Sequence, residues 1–69
     1  MNIQIGDLIY FKRSDVLCTI IDTHINEFTG GTSFKFQSIG YSPITSIIEE
    51  KSIIYQIKNN NITHYPAKK

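Results

Sequence analysis

Seven basic and six acidic side chains in 69 residues give a formal net charge of +1. That supplies little of the long-range field on which a dedicated polyanion binder relies, and the length allows one small core. A single cysteine cannot close an internal bridge, and no apolar run approaches the roughly 18 residues that span a bilayer, so a disulfide scaffold and a membrane-spanning helix are excluded.

The N-terminal residues lack the basic, apolar and small-residue regions of a signal peptide, and the expected compartment is the reducing cytoplasm. Gly6-Asp7 is a turn pair, since glycine opens backbone angles closed to other residues and the aspartate carboxylate accepts from neighbouring amides. It launches Leu8-Ile9-Tyr10-Phe11, a short apolar run with the character of a strand, closed by the polar turn Lys12-Arg13-Ser14-Asp15. Val16 to Phe28 is β-branched at most apolar positions and reads as a long, bent strand, with Ile21, Thr23 and Ile25 on one side and Asp22 and His24 on the other. Gly30-Gly31 is expected to form a primed hairpin turn, returning through Phe34 and Phe36 facing inward and Lys35 and Gln37 facing water.

After Gly40 the pattern changes. Ser42 and Pro43 fit a helix start, and Ile44, Ile47, Ile48 and Lys51 fall at helical spacing, so a short helix or helical turn is expected near 43–50, with a strand as its rival. Ser52 to Lys58 alternates through Ile53, Tyr55 and Ile57 as a strand would. Asn59-Asn60-Asn61 turns the chain, Ile62 to Tyr65 pairs back, Pro66 ends the strand, and 67–69 form a frayed tail. The expectation is one all-β domain over 1–66, five short strands and one helical turn, rolled into a small barrel that hides its sheet edges.

"IGDLIYFK" at the start and "YQIKNNNITHYPAK" at the end resemble the first strand and closing hairpin of small Src-homology-3-like barrels of the Tudor and KOW type. That resemblance implies a five-stranded barrel. Val16 to Ile21 contains no glycine where KOW modules carry a glycine-rich second strand, and no aromatic cage can be assigned. A helix between the third and fourth strands would instead match an oligonucleotide-binding fold, the alternative architecture.

No catalytic constellation stands out. Cys18 and His24 share a strand face but lie about 20 Å apart along it, too far for a nucleophile and base. Cys18 with His64 stays geometrically open, although a lone cysteine in an apolar β run is ordinarily a small core residue. Asp22 and His24 would need a third ligand such as His64, Glu27 or Glu49 to hold a metal, and Glu49-Glu50 point apart as sequence neighbours. No glycine-rich phosphate cradle precedes a helix. The residues thus point to a binding protein without enzyme activity, metal or cofactor.

Two classes of partner fit. For a protein partner, Tyr41, Tyr55 and Tyr65 are the candidate contacts, because tyrosine buries a large ring while its hydroxyl tolerates a wet rim. Tyr55 and Tyr65 are expected side by side across the closing hairpin. For a nucleic acid, Lys12, Arg13, Lys35 and Lys58 are the candidate phosphate contacts and Tyr10, Phe36 or Tyr55 the stacking rings, with Lys12 and Arg13 beside Tyr10 the basic-aromatic cluster. Protein association is the favoured reading. Rich use of Ile, Asn and Lys fits an AT-rich coding sequence of the kind found in low-GC bacteria and their phages, where a short binder would regulate or inhibit a host protein.

Overall fold

The computed structural model describes residues 3–40 and 42–67. Five strands form one antiparallel sheet: β1 (Leu8–Phe11), β2 (Val16–Ile25), β3 (Thr32–Ser38), β4 (Thr45–Glu49) and β5 (Ile62–Tyr65), with α1 (Glu50–Lys58) between β4 and β5. The strand order is β4-β3-β2-β1-β5, so β4 and β5 are edges and the sheet is not closed.

Gly6-Asp7 does more than turn the chain. Gly6 sits at φ 95°, a conformation that favours glycine. This lets its amide reach Ile20 O at 2.8 Å while the Asp7 carbonyl accepts from Ile20 N at 2.9 Å, so the corner stitches the N-terminal segment onto β2. The Asp7 side chain accepts from the amides of Gln4 and Ala67 and meets His64 Nε2 at 2.7 Å. Ala67, expected to begin a frayed tail, is held; Lys68 and Lys69 lie outside the described residues.

β2 is bent as expected, by a register shift between Ile20 and Asp22 that leaves Ile21 unpaired with β3. Ile20, rather than Ile21, therefore enters the core. The return is not a two-residue turn at Gly30-Gly31 but the six-residue loop 26–31. Asn26 organises it, accepting from Phe28 N and Thr29 N through its side chain, while Gly30 N donates to Asn26 O at 2.7 Å.

The largest departure from the sequence reading lies at 43–58, where strand and helix exchange places. Thr45–Glu49, expected as helix, is β4, and the expected strand at 52–58 belongs to α1. Ile53 is buried and Ile54 and Ile57 pack beside it against the sheet, a helical stripe, while Tyr55 points to solvent. Glu50 in the first turn and Lys58 in the last match the helix dipole. Asn60 at φ 63° ends the helix: its amide donates to Ile57 O and that of Asn61 to Gln56 O, a Schellman closure. The helix follows the fourth strand, so the order that would mark an oligonucleotide-binding fold is not the one observed.

Ile3, Ile9, Ile20, Phe34, Ile53 and Ile62 make the core between sheet and helix. Phe36, expected inward, is half-buried on the same face and packs on Phe11 with ring centroids 5.1 Å apart. α1 packs against β3, β4 and β5 across the core face of the sheet.

Candidate functional site

Residues directly opposite in an antiparallel ladder share a face. Cys18, Ile9 and His64 form one inward row, and Val16, Phe11 and Ile62 the next. The outward rows are then Thr63-Tyr10-Leu17, continued by Ile39, whose amide donates to Leu17 O at 3.0 Å, and Tyr65-Leu8-Thr19-Gln37. A solvent-facing sheet surface is ordinarily polar. Here it carries Leu17 at 37 % exposure, Ile39 at 59 % and Tyr65 at 50 %, with Leu8 and Tyr10 half-exposed between them.

Two of the expected contact residues, Tyr10 and Tyr65, meet on this surface. The Tyr10 hydroxyl donates to Asp15 Oδ1, and this bond to a carboxylate, with some desolvation and the carboxylate's charge, raises the phenol's pKa. Tyr55 does not join them. It lies on α1, and the cross-strand partner of Tyr65 is Leu8. Tyr41 lies outside the described residues. The sequence reading missed Leu17 and Ile39, whose outward direction follows only from the register.

Lys12 and Arg13 occupy the exposed β1–β2 turn, as expected. The fold brings the end of α1 beside them: Lys12 N donates to Asn61 O at 3.0 Å and Lys12 Nζ to Asn60 Oδ1. Lys58 therefore joins Lys12 and Arg13 at one end of the molecule, with Asp15 the carboxylate among them. Glu27, Glu49 and Glu50 lie at the other end, around the β2–β3 loop and the β4–α1 junction. The separation of signs is partial, since Lys51 sits with the glutamates and Asp22 lies opposite Lys35.

The described residues hold no cluster of three or more His, Cys, Asp or Glu side chains spaced for a metal. Asp22 and His24 face outward opposite Lys35 and Ser33, while His64 lies inward against Asp7. Cys18 and His64 flank Ile9, two strand spacings or about 10 Å apart. They do not form a nucleophile and base. Burial, which leaves Cys18 2 % exposed, pushes its thiol pKa up, away from the thiolate a nucleophile needs. A cleft of about 290 Å³ between the β2–β3 loop and the start of α1 is lined by Asn26, Thr29, Ser33, Glu49, Glu50 and Lys51. It is partly open, and Glu49 pairs with Lys51 across 3.7 Å in solvent. No described helix is long and apolar enough to cross a membrane.

Comparison with family models, curated proteins and solved structures finds no significant match.

Proposed function

We propose that this chain is a non-enzymatic binding module that associates with another protein through the outer face of its sheet. The observation that carries the reading is the continuous apolar surface of Tyr10, Leu17 and Ile39 with Leu8 and Tyr65, on the side of the sheet away from the core. Rings and branched side chains on a strand surface bury area at low entropic cost, and Tyr65 beside Leu8 supplies the amphipathic anchor typical of interface centres. Five short antiparallel strands with α1 packed across their core face support a Src-homology-3-like barrel, open between β4 and β5, as the frame that presents this face. A binder of this size would regulate or inhibit the protein it captures, in keeping with a phage or mobile-element origin and a cytoplasmic setting.

Capture from nuclease-treated lysate tests the reading. Leu17→Lys and Tyr65→Ala should each release the captured protein while leaving the melting transition cooperative; retention in both variants would reject this face.

Nucleic-acid binding is the second reading, favoured by one observation: the fold gathers Lys12, Arg13 and Lys58 at one end, beside the Phe11–Phe36 ring pair. Phosphate contacts from three cations would make affinity fall steeply with salt. Protein association stands first because the basic end carries few charges and Lys12 already bonds to Asn60.

A further inference from the structure

We infer that the β4 edge pairs with the β4 edge of a second copy of this chain, joining two sheets about a two-fold axis through Ile47. The surface is distinct from the outer face assigned to a partner, and the inference does not rest on that assignment.

Edge strands are normally blunted by lysine, proline, a bulge or extreme shortness. β5 is four residues long and runs into Pro66. β4 has five residues, Thr45-Ser46-Ile47-Ile48-Glu49, with no lysine, proline or bulge; its one charge is Glu49 at the strand end, and its pairing with β3 is regular throughout. Ile47 is 65 % exposed on it.

The direction of its free hydrogen-bonding groups follows from the ladder. Ser38 N donates to Ile44 O at 2.9 Å. Antiparallel alternation then turns the N–H and C=O of Ser46 and Ile48 toward β3, and those of Thr45, Ile47 and Glu49 away from it. A second β4 can bond to these groups only in registers that set odd-numbered residues opposite odd-numbered ones. Centring on Ile47 is the register that uses all five residues. Shifting the axis to Ile48 opposes Ser46 to Glu50, which is already helical, and shifting it to Ser46 brings Pro43, which has no N–H, opposite Glu49.

In the Ile47 register the edge is complementary to itself. Ile47 meets its counterpart, and each Thr45 hydroxyl faces the Glu49 carboxylate of the other copy. No like charges are opposed, and Lys35, the β3 neighbour of Ile47, stays one strand away from the junction on each side.

Sedimentation equilibrium of the full chain tests the pairing. The weight-average mass should rise from 7.9 kDa toward twice that value with concentration. Ile47→Pro removes an N–H that points away from β3, and Ile47→Lys places a charge on the axis. Both should hold the mass at the monomer value while the circular-dichroism melt is kept. Register is read separately: Thr45→Glu would set two carboxylates opposite each other and weaken self-association about threefold or more, whereas Thr45→Lys should strengthen it. A monomer at every concentration, or a dimer indifferent to Ile47→Pro and Ile47→Lys, would overturn the inference; equal effects of the two Thr45 changes would overturn the register. None of these outcomes bears on partner capture, which is read through Leu17 and Tyr65.

Discussion

Asp7→Ala should be among the most damaging single changes in the protein, although Asp7 is one carboxylate near the start of the chain. Its side chain is 4 % exposed and accepts from Gln4 N at 2.9 Å, Ala67 N at 2.8 Å and His64 Nε2 at 2.7 Å. Hydrogen bonds to a charged group contribute about 1.5 to 3 kcal/mol each. Gln4 and Ala67 are exposed residues whose amides regain water once released, so the expected cost is one full contribution from His64 and part of the other two, about 3 kcal/mol in all. A domain of this length holds only about 3 to 10 kcal/mol. The melting temperature should therefore fall by about 12 to 24 °C. Asp7→Asn keeps one acceptor oxygen but no charge, and should cost about half as much.

The same carboxylate sets a pH signature. Burial pushes its pKa up, but the amides of Ala67 and Gln4 and the contact with His64 outweigh burial and hold it below 3.8. A folded-state pKa below the unfolded value means that the stabilisation is present above the unfolded pKa and is lost as pH falls through the folded one. The stability gap between wild type and Asp7→Asn should be full at neutral pH and close progressively below pH 3.8. Urea titrations of both proteins from pH 2 to 7 measure it. A negligible change in midpoint for Asp7→Ala, or a gap that widens in acid, would refute the latch.

Phe34→Ala should cost about 3 to 5 kcal/mol, since Phe34 is 2 % exposed in the core. Phe36→Ala should cost roughly half of that because its ring is half-buried against Phe11; chemical denaturation ranks the two. Phe28, at the tip of the β2–β3 loop, is 98 % exposed, so Phe28→Ala should leave the denaturation midpoint within about 0.5 kcal/mol of wild type.

The first three strands were legible because their signals are local. Turn residues bound Leu8–Phe11, a β-branched run marks β2, and Phe34 and Phe36 alternating with Lys35 and Gln37 mark β3. The region 43–58 misled because an isoleucine-rich segment satisfies two periods at once. Ile44, Ile47 and Ile48 fit a helix, yet Thr45 to Ile48 is also β-rich and finds a partner in β3, which decides the matter by tertiary pairing. The helix had its own marks in Ile53, Ile54 and Ile57, with Glu50 and Lys58 at fitting ends; the alternation of Ile53, Tyr55 and Ile57 obscured them. The error carried into the candidate site, since Tyr55 could neighbour Tyr65 only across a hairpin. Tyr10 in β1 and Lys12 and Arg13 in the β1–β2 turn lie at their expected positions in the fold because that strand and turn are local. Lys58 joining the two cations, Leu17 and Ile39 facing out, and the partners of Asp7 at His64 and Ala67 all depend on contacts between distant segments.

The salt dependence of binding to the captured protein, set beside direct titration of single-stranded RNA and DNA oligomers, tests the central proposal most directly. Association through the Leu17 and Tyr65 face should change little between about 50 and 200 mM salt, because it buries apolar area rather than releasing counterions. Tyr65→Ala should weaken it by about 1 to 2 kcal/mol with the fold intact. Oligomer binding at micromolar or tighter affinity that falls by orders of magnitude over the same range, and is abolished by Lys12→Ala and Arg13→Ala, would contradict the account and identify a nucleic acid as the ligand.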